Sequence, residues 1–435
     1  MTVEVITANV SESGRFARAV VLRLLDRLTG GRVHVVDQYG EACFGTEPAP
    51  HASRPIDVTV QVHDPRTYSR MVKEGSVGLG ESYADGWWDT DDLCGLLRVA
   101  HRSVARTHTA RDAVHRWLRP VLDAVDWRPR GDKERDARNI RAHYDLGNEF
   151  FQRILDETMM YSCAVFERPS DSLADASVHK LDRLANLLAL EPDDRVLEIG
   201  TGWGGFAVHA ATHYGCHVTT TTISPSQYEF ARRRVDNAGL QHRVTVLRDD
   251  YRDVEGTFDK IVAIEMIEAV HWSDYDTFFG RCRRLLDDAG ALAMQAIVVP
   301  DASFDRVKRH TDFIKSAIFP GGCLPSVHAL GAAASRHGFV PTYEDDIGLH
   351  YAETLRRWKQ NLADARAELD ALGLDRRFAR LWEFYFSYCE AAFEERYVRD
   401  VQLLYTPPGW RPAAMPAAQQ ALAVRRGGAC ALVRK

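Results

Sequence analysis

The chain has 435 residues, which exceeds one typical domain, so two domains are expected. Apolar residues make up 45% and charged residues 27%, the balance of a folded globular protein. The net charge of −6 gives no reason to expect a nucleic-acid partner, and no apolar run is long enough to span a membrane. The N-terminus lacks a signal-peptide core and the eight cysteines include no CxxC pair. We therefore expect a cytoplasmic protein without a zinc site or a disulfide framework.

The N-terminal part of the sequence predicts an α+β domain. Apolar residues recur at helical spacing over 15–28, and valines alternate in short strands over 32–62. The segment 75–88 combines glycines with paired tryptophans, which suggests a tight, aromatic-packed surface. We place the end of this lipid-associated domain near residue 125.

A basic stretch follows, with twelve basic and six acidic side chains over 98–141. A helical linker at 126–142 could lie on an anionic membrane, at about 1 kcal/mol per basic residue near the surface. A solvated connector is the alternative interpretation. The basic residues are Arg98, Arg102, Arg106, Arg111, Arg116, Arg119, Arg128, Arg130, Lys133, Arg135, Arg138 and Arg141.

The region 143–406 has the pattern of one α/β catalytic domain. Strands that alternate with helices predict a parallel sheet covered on both faces. Segments 300–338 and 350–398 are mostly helical and could cap the site, and the tail 407–435 is expected to be disordered. The strands are predicted at 195–200, 217–223, 243–248, 258–264, 290–299, 339–346 and 400–406, and the helices at 179–190, 203–214, 225–238 and 273–285.

The run from Val196 to Phe206 points to the cofactor. An apolar strand carries Glu198 near its end, and Gly200, Gly202 and Gly204 follow before a helix begins. This arrangement lets a ligand approach the backbone closely. A dinucleotide GxGxxG pattern also fits, but the next strand ends in threonines without the acidic residue that a NAD ribose site requires. The sequence therefore favours S-adenosylmethionine, with a purely structural glycine turn as the alternative.

Five further motifs occur in order along the chain. They are His143-Tyr-Asp-Leu-Gly-Asn-Glu-Phe-Phe151, Tyr161-Ser-Cys-Ala164, Glu265-Met-Ile-Glu-Ala-Val270, Ile318-Phe-Pro-Gly-Gly-Cys-Leu-Pro-Ser326 and His350-Tyr-Ala-Glu-Thr-Leu-Arg-Arg-Trp358. Together they resemble the cyclopropane-fatty-acyl-phospholipid synthase family, which includes the mycolic-acid methyltransferases. The resemblance covers about residues 15–406.

The resemblance implies a fold and a substrate class. The fold is a class I S-adenosylmethionine methyltransferase, a Rossmann-like α/β fold with a seven-stranded sheet, joined to a smaller α+β N-terminal domain and a helical cap. The segment 75–88 looks like the N-terminal domain of the bacterial lipid synthases, which the mycolic-acid enzymes lack. It therefore favours unsaturated phospholipid over mycolate as the substrate.

The resemblance also implies which residues bind S-adenosylmethionine. Hydroxyl and amide groups in this set can hydrogen-bond a ribose and a methionine amine, and a carboxylate and an aromatic ring can meet an adenine. The residues are Tyr161, Ser162, Glu198, Gly200, Gly202, Gly204, Thr222, Ile223, Gln227, Asp250, Tyr251 and Arg252.

Catalysis in the family resembles carbocation chemistry, in which a bound bicarbonate removes the proton. The implied active-site residues are Glu268, Tyr351, Cys163 and Cys389. The histidine of the family's bicarbonate site is absent, and Gln295 takes its place. A glutamine amide can donate a hydrogen bond to bicarbonate but carries no charge, so we expect bicarbonate to remain the proton acceptor.

Three alternatives to a cyclopropane synthase remain at this point. The same fold could form 10-methylene acyl chains, because a cation can undergo a hydride shift before it loses its proton. A non-catalytic lipid-binding module and a small-molecule methyltransferase are the other two, and the intact glycine loop and the extra N-terminal domain argue against them. We expect the enzyme to lie on the inner face of the membrane, and a homodimer is left open.

Overall fold

A computed structural model describes residues 2–46, 56–103 and 147–411. The chain forms two compact units. The first unit comprises 1–127, 309–320 and 355–398, and the second comprises 128–308, 321–354 and 399–435.

This division differs from the domain boundaries that the sequence suggests. Segments 309–320 and 355–398 belong to the first unit, whereas the sequence predicts that they are part of a catalytic domain over 143–406. Most of the basic stretch and nearly all of the tail at 407–435 lie outside the described residues, so the predicted linker and the predicted disorder stay predictions.

The first unit has the predicted α+β character. Its four strands are β1 (Gly31–Asp37), β2 (Gly40–Thr46), β3 (Asp57–Val62) and β4 (Trp88–Thr90). They form one sheet in the order β2-β1-β3-β4, in which β1 pairs antiparallel with β2 and parallel with β3. The helices assigned to it are Thr2–Leu25, Arg66–Glu74, Ser76–Ala84, 93–103, Arg366–Ala371 and Arg376–Glu394.

The predicted aromatic segment at 75–88 forms a helix followed by β4. The rings of Tyr83 and Trp88 lie 4.9 Å apart, and Trp88 is 1% exposed. Phe384 packs edge-on against Trp88 at 6.4 Å between ring centroids. This aromatic packing explains why segment 355–398 clusters with the N-terminal residues, because buried aromatic rings contribute large contact areas.

The second unit contains the predicted seven-stranded sheet. Its strands are β5 (Arg195–Ile199), β6 (His217–Thr221), β7 (Val244–Leu247), β8 (Phe258–Ile264), β9 (Leu286–Val298), β10 (Val340–Asp346) and β11 (Arg399–Thr406). The order is β10-β11-β9-β8-β5-β6-β7. Strands β5 to β9 pair in parallel as predicted, while β11 runs antiparallel to both neighbours, so the sheet is mixed.

The central strands are buried on both faces. Leu197 and Ile261 pack in one hydrophobic cluster, whereas Val196 and Val262 pack in another, and all four are fully buried. A strand covered by helices on both sides needs such a continuous apolar run. Polar residues therefore stand out where these strands end.

Helices cover this sheet and connect its strands. No helix within the described residues is long and apolar enough to cross a membrane. The helices of the second unit are Asn148–Ile154, Leu173–Leu188, Gly205–His209, Pro225–Asn237, Tyr275–Leu285, Asp301–Val307 and Val327–Arg336; the long helix Gly348–Asp364 begins in the second unit.

Candidate active site

The glycine loop follows β5 at the carboxyl edge of the sheet. Gly200, Gly202 and Gly204 all have a left-handed backbone, with φ of 100°, 52° and 83°. A Cβ added to Gly202 would meet no atom within 4 Å, so the backbone there borders open space. The loop can therefore let a ligand approach its main chain closely, as an S-adenosylmethionine site requires.

Glu198 lies inside β5 and is 2% exposed. Its Oε2 accepts a hydrogen bond of 2.6 Å from the hydroxyl of Thr220 on the adjacent β6. Burial raises the pKa of Glu198 to about 8, against the opposing effects of Thr220 and Lys180. Glu198 thus links β5 to β6, and its predicted contact with the cofactor stays a prediction.

Polar side chains close the end of β6, next to the glycine loop. Thr222 donates from Oγ1 to Oε1 of Gln227 at 2.9 Å. Ser224 caps the helix Pro225–Asn237 by accepting from the backbone N–H of Gln227, and Ile223 is partly exposed beside it. Because β5 and β6 are neighbours, these groups and the loop share one edge.

Asp250, Tyr251 and Arg252 follow β7 at the same edge of the sheet. Arg252 holds Asp250 through hydrogen bonds of 2.7 Å from Nε and 2.6 Å from Nη2. The ring of Tyr251 packs edge-on against Phe278 at 5.5 Å, and burial raises the pKa of the Tyr251 phenol. An anchored carboxylate and a packed ring suit the recognition of a ribose and a base.

Tyr161 and Ser162 lie on a buried loop of the second unit. The ring of Tyr161 packs against Phe151 at 5.2 Å. Ser162 accepts a 2.7 Å hydrogen bond from Nζ of Lys180, which is fully buried and whose pKa burial lowers. The sequence gives no signal for Lys180, because a lysine in an amphipathic helix usually faces solvent.

A second polar cluster centres on Glu265, directly after β8. Its Oε1 accepts hydrogen bonds from the backbone N–H of Cys163 at 2.7 Å and from Nε2 of Gln295 at 2.8 Å. Its Oε2 accepts from the hydroxyl of Tyr351 at 2.7 Å. Three of the predicted active-site residues therefore meet on one carboxylate that sequence reasoning did not single out.

Glu268 lies one turn further along the chain. Its Oε1 accepts a 2.5 Å hydrogen bond from the backbone N–H of Ile297, at the end of β9. Its Oε2 is shielded from solvent and has no hydrogen-bond partner among the described residues. Burial, followed by the negative charge of Glu265, raises the pKa of Glu268 to about 8, which favours the protonated form of its carboxyl group near neutral pH.

Gln295 joins this cluster to β11. Its Nε2 also lies 3.1 Å from Oδ2 of Asp400 and 3.3 Å from the carbonyl oxygen of Cys163, and its Oε1 accepts from Gln402 at 3.0 Å. Asp400 is fully buried, and burial together with the charges of Glu265 and Glu268 raises its pKa well above the usual range. This shift favours the protonated form of Asp400.

The two predicted active-site cysteines differ in their placement. Cys163 is fully buried, its thiol donates to the carbonyl of Ala164 at 3.2 Å, and burial raises its pKa. It contributes its backbone N–H to the cluster and is a thiol rather than a nucleophilic thiolate. Cys389 lies in helix Arg376–Glu394 of the first unit, and the described hydrogen bonds around Glu265 do not include it.

The sequence did contain signals for the missed residues. Glu265 opens one of the quoted motifs and follows a buried strand at the carboxyl edge of the sheet, where α/β sites lie. Asp400 and Gln402 are polar residues on an otherwise apolar buried strand, where an unpaired polar group would be costly.

The fold of the second unit agrees with comparison to known families. The family model described as mycolic acid cyclopropane synthetase matches residues 131–403. The chain belongs to this family. It is an S-adenosylmethionine-dependent methyltransferase with the class I fold.

Two relatives of the cyclopropane synthetase family match well beyond that region. The chain is 38% identical over 358 residues to tuberculostearic acid methyltransferase UfaA1 of Mycobacterium tuberculosis, covering 80% of this chain and 83% of the relative. It is 35% identical over 355 residues to cyclopropane-fatty-acyl-phospholipid synthase of Escherichia coli, covering 81% and 87%. The crystal structure of mycolic acid cyclopropane synthase CmaA1 complexed with SAH and CTAB aligns at a TM-score of 0.58 and 30% identity, over 64% of this chain and 99% of that one.

Proposed function

We propose that this enzyme transfers the methyl group of S-adenosylmethionine to the cis double bond of unsaturated phospholipid acyl chains and forms a cyclopropane ring. One observation carries the proposal. The glycine loop after β5 and the Glu265 cluster after β8 lie at the same edge of the sheet, on strands that are direct neighbours. This shared edge supports a reaction between a methyl donor bound at the loop and the acid and base side chains of the cluster.

The residues present fit S-adenosylmethionine. When bound, S-adenosylmethionine supplies an electrophilic sulfonium methyl group. The open backbone at Gly202 accommodates the close approach of a ligand, and Thr222, Gln227 and Asp250 offer polar groups along the ends of β6 and β7. The relative CmaA1, whose structure contains SAH, supports the same assignment here.

The substrate class is supported by how much of the chain each relative matches. The two relatives named for a fatty-acyl-phospholipid and for tuberculostearic acid match 80–81% of this chain. By contrast, 64% of this chain is enough to match 99% of the mycolic-acid enzyme CmaA1. The additional part of this chain is thus shared with enzymes of simple acyl chains, which favours phospholipid acyl chains over mycolates.

The cluster suits a reaction that builds positive charge on an acyl chain. The alkene pair forms a bond to the methyl carbon, the carbon–sulfur bond breaks with its pair left on sulfur, and the other alkene carbon becomes cationic. The carboxylate of Glu265 stabilises such a charge at low dielectric, while the raised pKa values of Glu268 and Asp400 favour neutral carboxyl groups that add dipoles.

The described residues do not fit the bicarbonate that the family resemblance implies. The backbone N–H of Cys163, the Gln295 amide and the Tyr351 hydroxyl, which were expected to hold it, already donate to Glu265. A second anion at this place would lose those donors and face the Glu265 charge. We therefore derive no step through bicarbonate.

A 10-methylene acyl chain is a second candidate product. The 38% identity to UfaA1, which is named for tuberculostearic acid, favours it. On this route a hydride moves from the methylated carbon to the cationic carbon, and the methyl group then loses a proton to give a 10-methylene chain. Both routes remove a proton from the transferred methyl group, so the same cluster serves either one.

The basic stretch supports a further part of the proposal, that the enzyme works at an anionic membrane surface on the cytoplasmic side. Ten of its twelve basic residues lie outside the described residues, and Arg98 and Arg102 are paired with Glu395. The membrane contact is therefore assigned to the remaining ten.

Reaction of the purified enzyme with S-adenosylmethionine and dioleoyl phospholipid vesicles tests the proposal. We expect release of S-adenosylhomocysteine together with acyl chains 14 mass units heavier, as one added methylene requires. Proton NMR of the product then distinguishes upfield ring protons from olefinic methylene protons. Vesicles of saturated phospholipid are the matched control, and equal release of S-adenosylhomocysteine from them would contradict the proposal.

A further inference from the structure

Glu265 has an unusual backbone for a residue with a long side chain. Its φ of +47° lies in the left-handed region, and its backbone N–H donates to the carbonyl oxygen of Gln295 at 2.8 Å. A non-glycine residue held in this region costs on the order of 1 kcal/mol or more, and such strain concentrates at functional sites. The cost indicates that the Glu265 side chain is needed where it lies.

Three donors from three separate segments converge on that side chain. The backbone N–H of Cys163, Nε2 of Gln295 and the hydroxyl of Tyr351 all lie within 2.8 Å of a Glu265 carboxylate oxygen. Hydrogen bonds of this kind stabilise a negative charge. The family resemblance assigned the same three residues to holding a small anion, so the Glu265 carboxylate lies where that anion was expected.

The neighbouring carboxyl groups have fewer hydrogen-bond donors than Glu265, because Glu268 accepts from the backbone N–H of Ile297 and Asp400 from Gln295. Burial raises the pKa values of Glu268 and Asp400, which favours their neutral forms. Three carboxylates so close together could not all ionise without strong repulsion. The three donors around Glu265 stabilise its carboxylate form, and a carboxylate is the form that can accept a proton.

We propose that the carboxylate of Glu265 is the proton acceptor of the reaction and replaces an external bicarbonate. This inference rests on the proposed function. The proton leaves the transferred methyl group and binds to a Glu265 oxygen. The C–H electron pair closes the third ring bond, or forms the methylene double bond if a hydride shift has come first. No further reactant is needed, because the proton later passes to solvent.

A glycine at this position provides the sharpest test. Glu265→Gly removes the carboxylate on which the three donors converge, so that an added anion can accept from them. Glycine also suits a φ of +47°, so the variant should fold. We expect turnover on dioleoyl vesicles to fall about 100-fold, and millimolar bicarbonate to restore at least a tenth of it. Glu265→Gln is the matched control, since it fills the same space with a neutral group and should be inactive with or without bicarbonate.

Binding of 13C-labelled bicarbonate, followed by 13C NMR without S-adenosylmethionine or lipid, gives a readout that does not depend on turnover. We expect Glu265→Gly to bind the ion, and the wild type and Glu265→Gln not to bind it. The inference would be overturned if wild-type turnover fell tenfold in carbonate-free buffer and recovered on re-addition. It would also be overturned if folded Glu265→Gly neither bound the ion nor was rescued by it.

These results separate the inference from the proposed function. If the wild type binds S-adenosylmethionine but methylates no unsaturated phospholipid, the proposed function has failed, and the bicarbonate-binding comparison still reports whether Glu265 occupies an anion site. If the wild type methylates phospholipid but requires bicarbonate, the function stands and Glu265 is not the base.

Discussion

Gln402 donates from Nε2 to Oε1 of Gln295 at 3.0 Å across the paired strands β11 and β9, and this contact sets the direction of a chain of hydrogen bonds that ends on Glu265. A guanidinium group can only donate, so Nε of Arg183, 2.7 Å from Oε1 of Gln402, fixes which end of the Gln402 amide is the carbonyl. Gln402 fixes Gln295 in the same way. The amide nitrogen of Gln295 consequently faces the Glu265 carboxylate at 2.8 Å.

Gln402→Glu should interrupt this chain while it keeps the side-chain shape. The new carboxylate can still accept from Arg183 but cannot donate to Gln295, so the Gln295 carbonyl loses its partner and the amide loses its fixed orientation. A buried polar group left unpaired costs about 1–3 kcal/mol. We expect turnover to fall roughly tenfold or more, with the Kd for S-adenosylmethionine changed less than about twofold.

The control for Gln402→Glu is Gln241→Glu, which makes the same chemical change at an exposed position. Release of S-adenosylhomocysteine and titration calorimetry measure turnover and cofactor affinity in both variants. Equal turnover in Gln402→Glu and the wild type would show that the orientation of Gln295 does not matter for the reaction.

Gly202→Val should abolish binding of S-adenosylmethionine without unfolding the protein. Gly202 has a φ of +52° and borders open space, so a valine there would strain the backbone and project into the space that the ligand needs. Gly239→Val is a closely matched control, because Gly239 has a φ of +68° and also borders open space in the same unit.

Calorimetry and thermal unfolding distinguish the two effects at Gly202. We expect both glycine variants to lose a similar amount of stability, on the order of 1 kcal/mol, and only Gly202→Val to lose affinity, by at least about tenfold. If both variants bound the cofactor like the wild type, the glycine loop would not be the cofactor site.

The sequence predicted the sheet well because its strands are long apolar runs between clear turn residues. The strand predicted at 258–264 has the observed bounds of β8, and the glycine loop follows β5 as expected. Periodicity records which residues are buried, and burial decides where strands and helices form. The seven strands of the second unit could therefore be predicted without any structural information.

The polar cluster could be predicted only in part. Tyr351, Cys163 and Gln295 were placed in one site by the family motifs, and the structure brings them together. The sequence could place Glu265 at the carboxyl edge of the sheet but not predict its contacts, because they join residues 30 to 102 positions apart in the chain. Only the folded chain shows that Glu265 uses the donors expected to hold bicarbonate.

Glu268→Gln should change how stability depends on pH. Burial raises the pKa of Glu268 to about 8 in the folded protein, from about 4.5 in the unfolded chain. Between these values the folded state retains a proton that the unfolded state has lost, so this group contributes stability below pH 4.5 and loses that contribution as the pH rises to 8. Glutamine is neutral throughout and has no such dependence.

The measurement is the free energy of unfolding in urea at pH 5.5 and pH 8.5. We expect the stability of Glu268→Gln relative to the wild type to be higher at pH 8.5 than at pH 5.5, by on the order of 1 kcal/mol or more. Glu255→Gln, at an exposed position, is the control and should show no such change. A difference between Glu268→Gln and the wild type that is independent of pH would show that Glu268 is ionised throughout this range.

Charge reversal in the basic stretch should release the enzyme from anionic membranes. Arg98 and Arg102 are unsuitable for this test, because their ion pairs with Glu395 stabilise the first unit. Arg106→Glu combined with Arg116→Glu leaves those pairs intact. Each basic residue near an anionic surface contributes about 1 kcal/mol, so the double variant should bind vesicles rich in anionic lipid at least about tenfold more weakly.

The matched control for this variant reverses two exposed arginines on helix Pro225–Asn237, Arg232→Glu and Arg233→Glu, which changes the net charge by the same amount. Sedimentation with vesicles of increasing anionic content, at low salt and at 0.5 M salt, measures binding. Salt should weaken wild-type binding, because screening limits such attraction to about 10 Å at 0.1 M salt. If both double variants lost binding equally, net charge rather than the basic stretch would account for the attraction. If the wild type bound neutral vesicles as tightly as anionic ones, the basic stretch would be a solvated connector.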